Sequence, residues 1–251
     1  MAAIAAPPTI VRGRARGVRA SLVGTVVVAW VVLLLWARSS AASYLDHDGL
    51  AHPSLVRVLL LALGWLLMTA AMMLPASITY VGRLTERSRL PTSGGRLLGL
   101  LAGFVLVWWA FGVAATLSDL GVHRLVGANA GLTARAWLVF PITLTLAGAY
   151  QLSRTKRRAL VLCRDPVPAL CARWDGPPRT GPLSVGLRHG IDCVGSCAGL
   201  MLVVFAVGMS NVLGMVAGTV AALAERYLGG RAPVVIGGTL VVSALFMRVS
   251  G

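Results

Sequence analysis

The sequence has few charged residues and lacks the motifs of common soluble enzymes. Only 12% of its 251 residues are charged, against about 25% in soluble domains. It contains no Walker A motif, no dinucleotide-binding fingerprint and no His-Glu-x-x-His motif, so a nucleotide cofactor and an ATP-driven pump are not expected. It has four histidines, too few in the apolar segments for a haem pair, and four cysteines, which do not indicate a disulfide framework.

The sequence consists mainly of long apolar segments. Hydrophobic residues make up 57% of the chain, which predicts an all-α, polytopic helical bundle in the cell membrane. The formal net charge is +15, but the basic residues lie between the apolar blocks and form no continuous stripe. We therefore expect the lipid bilayer as a partner and no nucleic acid.

The apolar blocks predict six to seven transmembrane helices. The candidate spans are residues 21–38, 55–75, 97–117, 133–151, 184–208, 211–228 and 232–248. The last two are short and glycine-rich, which leaves the count open. Cytoplasmic loops are enriched in Lys and Arg, and most basic residues fall inside if the N-terminus is cytoplasmic. Residues 1–20 then form a basic cytoplasmic tail and residues 21–251 a single transmembrane domain, although 21–38 also resembles a signal peptide.

One stretch, "HGIDCVGSCAGLM", carries metal-binding residue types at intervals of four. The row is His189, Cys193, Cys197 and Met201. Residues four apart share a helix face, and thiolate, thioether and imidazole ligands suit copper and other soft transition metals. One helix cannot complete such a site, so we expect Met68 or Met72 of the second span to contribute. Ordinary packing of small, polarisable side chains explains the same row equally well.

Two acidic residues lie within the predicted spans. Charged groups are costly there and often mark function. Asp192 and Glu225 are therefore candidates for supporting the metal ligands, or for ion pairs with Arg188 and Arg226. Glycine pairs in the fifth and sixth spans favour close helix packing, within the chain or in an oligomer. Residues 209–211 alone separate these spans, so an antiparallel hairpin should bring Glu225 near the level of Cys193.

Two further groups of residues are weaker candidates. The loop after the first span contains Asp46, His47, Asp48 and His52. These residues either bind a divalent metal or partner, or form a solvated polar loop. In the long basic loop of residues 152–183, which we expect to be irregular, the spacing of Cys163 and Cys171 favours free thiols over a zinc site.

Three stretches together resemble a known family. They are "MTAAMMLP" at 68–75, "YQLSRTKRRALVLCRDP" at 150–166 and "GLRHGIDCVGSCAGLMLVVFAVGMSNVLGM" at 186–215. Over roughly residues 55–230 the chain is similar to a bacterial domain-of-unknown-function family catalogued as predicted metal-binding integral membrane proteins. The resemblance implies metal binding without defining an activity. Ser196 and Ala159 stand where the family tends to have cysteines, which weakens the expectation of a thiolate-rich site.

Three functions are compatible with these observations. The first is a membrane protein that handles copper or another soft metal, passing it across the membrane or to a metalloprotein or metallochaperone partner. The second is a membrane scaffold or assembly subunit without metal. The third, an enzyme, is a metal-dependent membrane oxidoreductase subunit and is the least favoured.

Overall fold

The computed structural model describes residues 8–46, 55–87, 93–164, 173–175 and 181–250. In this part of the chain the structure is helical with no strand, which confirms the all-α prediction. The helices are α1 Pro8–Ala37, α2 Leu55–Arg87, α3 Gly94–Gly127, α4 Ala130–Thr133, α5 Val139–Gln151, α6 Arg154–Arg164, α7 Gly181–Val207, α8 Val212–Leu228 and α9 Ala232–Ser250.

Four helical segments are long and apolar enough to cross a membrane. They are Arg16–Ala37, Leu55–Gly82, Gly94–Gly127 and Gly181–Val207. Helices α5 and α6 meet at a bend of 64° and together with the turn before α5 would supply a fifth crossing, while Ala232–Arg248 is a shorter apolar helix. This agrees with a membrane location; the full set of six to seven crossings and the cytoplasmic N-terminus remain predictions.

The helix bounds differ from the predicted segments in several places, since α1 also begins earlier and α3 ends later than the predicted spans. Helix α2 continues past Pro75 to Arg87, because a proline removes only one backbone hydrogen bond and packing can carry the helix through it. In the fourth span, regular α-helix begins only at Val139. Part of the loop expected to be irregular forms helix α6, whose face of Lys156, Leu160 and Cys163 is buried.

Helix α7 lies at the centre and packs on α3, α5, α6 and α8, most extensively on α3. Its glycines allow these close approaches. Gly186 lies against the backbone of Leu100 in α3, Gly195 against Ala159 in α6, and Gly199 against Ala147 in α5. Small residues thus let one helix contact three others, as expected for closely packed membrane helices.

A tight turn joins α7 to α8. Gly208 adopts a φ of +98°, which a residue with a side chain rarely adopts. Asp46, after α1, accepts hydrogen bonds from the Ser210 backbone nitrogen at 3.1 Å and hydroxyl at 2.7 Å. Asn211 caps α8 by accepting from the Gly214 nitrogen. The predicted α7–α8 hairpin is therefore closed locally and held to the α1–α2 connection.

Two alanine substitutions in α3 test the close packing against α7. A Cβ at Gly103 would collide with the backbone of Leu183 and Leu187, whereas nothing lies within 4 Å of one at Gly121. We expect Gly103→Ala to lower the free energy of unfolding by about 1–3 kcal/mol. Gly121→Ala on the same helix should be neutral or slightly stabilising. Thermal unfolding of both purified variants in detergent measures the difference, and equal effects would contradict this packing.

Candidate metal centre

The row on α7 is buried along its whole length. His189 and Cys193 are 1% and 0% exposed, and Cys197 and Met201 are 5% and 0% exposed. A helix face that is buried over three turns must be lined by neighbouring helices. What those neighbours place against each side chain decides the chemistry of the row.

His189 lies between α2 and α3. Its Nε2 is 2.9 Å from the Ser77 hydroxyl. Its ring stacks on Tyr80, with centroids 3.8 Å apart, and faces Phe104 at 5.4 Å. The Nδ1 atom is buried and has no hydrogen-bond partner among the residues that the structure describes. Because buried polar atoms are nearly always paired, this nitrogen is a candidate ligand atom.

Cys193 is flanked by two other thiols. Its side chain interacts with Cys197, one turn further along α7, and with Cys163 of α6. All three cysteines are free thiols and buried. Thiolate is the form of cysteine that binds soft metals. The tertiary fold thus adds a thiol from a second helix to the row that the sequence predicts.

Arg226 of α8 holds Cys163 in place. Its guanidinium donates to the Cys163 sulfur at 2.9 Å through Nη1 and to the Cys163 backbone oxygen at 2.6 Å through Nη2. Arg226 is itself 8% exposed. A buried guanidinium beside a sulfur favours the thiolate electrostatically, so Arg226 both orients this residue and supports its anionic form.

A buried ion pair joins α6 to α8 beside the thiols. Lys156 Nζ donates to Glu225 Oε2 at 2.6 Å and to the Ser196 backbone oxygen at 2.7 Å. Both charged side chains are essentially inaccessible, at 0% and 1% exposure. Arg164 donates to the Glu225 backbone oxygen, and Gln151 lies beside the Glu225 carboxylate. Glu225 therefore pairs with Lys156 of α6, and its neighbour Arg226 binds Cys163.

The methionines of α2 lie along the same region of the core. Contacts of Ser77 with His189 and of Trp65 with Phe205 show that α2 runs antiparallel to α7. One turn from the first contact, Met73 comes level with Cys193. Met68 lies about 7 Å further along the axis, in the direction of Met201. The Met72 methyl group packs near Gly218 of α8. All these methionines are buried.

The other predicted candidates lie apart from this cluster or outside the described residues. Asp192 forms an ion pair with Arg188 at 3.3 Å. Asp46 is occupied by its hydrogen bonds to Ser210. His47, Asp48, His52 and Cys171 lie outside the described residues.

The donors form pairs rather than one larger group. Within the described ranges, no three His, Cys, Asp or Glu side chains are arranged to hold one metal ion together. The thiol contacts instead define two pairs, Cys193 with Cys197 and Cys163 with Cys193. Thiolates are among the ligands that select soft metals such as Cu(I).

Sequence reasoning missed Cys163, Lys156 and Arg226 as members of this centre. One signal was present: Lys156, Leu160 and Cys163 follow a helical period and share a buried face. Their partners lie tens of residues away in the chain, however, so the pattern of α6 alone did not identify them.

The ion pair generates a stability prediction. Glu225→Gln leaves the Lys156 ammonium buried without its counter-charge and should cost about 3–5 kcal/mol. The double variant Lys156→Met with Glu225→Gln removes both charges and should be more stable than Glu225→Gln alone. Arg157→Met, which removes an exposed charge from the same helix, is the control and should change little. Chemical unfolding in detergent measures all three; a double variant less stable than the single would contradict the pairing.

Comparison with known proteins bears on the same region. A family model described as "PpoB2: Copper chaperone" matches residues 62–247, roughly three quarters of the chain. The match includes α7, α8 and all three thiols. No curated protein and no solved structure matches the chain.

Proposed function

Since this chain belongs to the PpoB2 family of copper chaperones, we propose that it binds Cu(I) at the Cys193 and Cys197 thiols and delivers it to a metalloprotein partner. Copper is the cargo in this proposal and not a resident cofactor. The proposal is carried by one observation: the buried free thiols of Cys193 and Cys197 on α7 and of Cys163 on α6 share the core of the bundle.

The surroundings of the thiols support soft-metal binding. His189 lies one turn before Cys193, and its Nδ1 has no hydrogen-bond partner among the described residues. Met201 follows on the same face, and Met72 and Met73 of α2 are buried in the same core. Imidazole and thioether groups are compatible with Cu(I). Water is excluded from this region, which protects Cu(I) while it is bound.

The membrane setting defines how transfer would work. In our proposal the bundle spans the cell membrane with the N-terminus in the cytoplasm, and Cys193 lies within the inner half of the bilayer. The sequence contains no nucleotide-binding motif, so transfer depends on the affinity of the partner for copper. A partner metalloprotein, or a metallochaperone that supplies copper, is therefore part of the proposal.

A scaffold without metal is the second candidate. The contacts of Gly186, Gly195 and Gly199 with three different helices favour it, because tight helix packing is a sufficient role for such a helix. In that case the thiols contribute packing only, and their replacement leaves metal content unchanged.

Copper analysis of purified protein separates these candidates. We expect about one Cu(I) per chain in the wild type after anaerobic loading, and almost none in Cys193→Ser with Cys197→Ser, because serine does not hold Cu(I). Met209→Leu is the control, since it removes a buried sulfur from the α7–α8 turn at similar volume. Equal, near-zero copper in wild type and double variant would refute copper binding and favour the scaffold.

A further inference from the structure

Cys193 is shared by two thiol pairs, and this sharing provides a route for the metal. We propose that Cys163 and Cys193 form a second Cu(I) site, between α6 and α7, and that Cu(I) moves between this site and the Cys193/Cys197 pair by exchanging one thiolate. The inference rests on the proposed copper binding. It adds a second copper site, a direction in which copper moves, and a role for Cys163.

The geometry supports two overlapping sites. The Cys193 thiol interacts with the thiols of Cys163 and Cys197, all three lie in the same buried core, and α6 approaches α7 closely where Ala159 meets Gly195. No group of three potential ligands of the His, Cys, Asp and Glu types is gathered around one point in the described part of the chain. A metal bound to Cys193 can therefore be held by either neighbour, and a small displacement is enough to change from one to the other.

Each outer thiol has its own cation. Arg226 contacts the Cys163 sulfur at 2.9 Å. The Lys156 ammonium lies close enough to Cys197 to act on it electrostatically, and is itself held by Glu225 and the Ser196 backbone oxygen. Because opposite charges interact strongly in a medium of low dielectric constant, Arg226 compensates a thiolate at Cys163, whereas the charge of Lys156 is shared between Cys197 and Glu225.

The exchange of one thiolate ligand for another requires no additional reagent. Cu(I) stays bonded to Cys193 while a bond to the Cys163 sulfur forms and the bond to the Cys197 sulfur breaks. Copper remains Cu(I), so no electron is transferred. The proton displaced from Cys163 is taken up by Cys197. The Ser196 hydroxyl, which donates to the Cys193 backbone oxygen at 2.8 Å, lies 3.4 Å from the Cys197 sulfur.

The second site includes Cys163 of helix α6. Helix α6 buries Cys163 but exposes Arg154, Arg157 and Arg158 on its opposite side. Cys197, by contrast, lies on the central helix. Release through Cys163 thus takes copper from the central helix to a helix with an exposed basic face, where a partner can bind.

Three single serine variants test the route. The full-length protein is loaded with Cu(I), and metal content and transfer to the chelator bicinchoninate are measured. We expect Cys163→Ser and Cys197→Ser each to keep a two-thiol site and about one Cu(I). Cys193→Ser disrupts both pairs and should lose copper. Release from Cys163→Ser should be slower than from wild type by about tenfold or more, because copper can no longer pass to the Cys163 thiolate; the size is that of the changes which ligand surroundings produce.

The outcomes distinguish the two proposals. A wild type that binds no Cu(I) refutes copper handling itself. Wild-type binding with Cys163→Ser identical in content and release rate refutes only the second site. Loss of copper from both Cys163→Ser and Cys197→Ser indicates one three-thiol site and also refutes the exchange. Leu160→Ala, which removes buried side-chain volume one turn from Cys163, should release copper at the wild-type rate.

A measurement on wild type covers the case in which Cys163→Ser does not fold. Dibromobimane bridges neighbouring thiols, and peptide mass analysis identifies the bridged pair. We expect a Cys163–Cys193 bridge in the copper-free protein and its loss after addition of Cu(I). A bridge that Cu(I) leaves unaffected would overturn the second site.

Discussion

The ion pair between Lys156 and Glu225 determines how the rest of the site is assembled. Two charges without solvent are tolerated only with good geometry and further hydrogen bonds, and here the ammonium also binds the Ser196 carbonyl at 2.7 Å. The pair thereby ties α6 and α8 to the central helix α7. Arg226, the next residue after Glu225, is brought to Cys163 by the same arrangement. The position of the third thiol is thus a consequence of where this charge pair is buried.

The glycines of α7 are the second requirement for this arrangement. Gly195 lies against Ala159 of α6, so the two helices are close enough for Cys163 to meet Cys193. Gly186 plays the same part toward α3, which supplies Phe104 to the His189 pocket. The glycines of α7 therefore allow the close helix packing and also position the candidate ligands. The scaffold and copper-handling interpretations describe the same contacts. They differ only in whether the thiols hold metal.

Local patterns in the sequence predicted much of the fold. Apolar blocks of sufficient length identified the all-α class and the four long apolar helices, because backbone hydrogen bonds in lipid must be satisfied within each helix. The same reasoning did not predict helix α6, because this helix is not part of a long apolar segment. Helix α6 is basic and short, and only one of its faces is buried. The sequence also predicts that the second span ends at Pro75, whereas helix α2 continues beyond this residue.

The sequence by itself determined the buried row of His189, Cys193, Cys197 and Met201, since residues four apart share a helix face whatever surrounds them. It also determined the α7–α8 hairpin, through the short turn that separates two apolar segments. Only the tertiary structure decided that Cys163 joins Cys193, that Glu225 pairs with Lys156 rather than Arg226, and that Met73 lies level with Cys193. These contacts connect residues that are far apart in the chain. Such contacts depend on which helices pack together and in which register, and no local period encodes either.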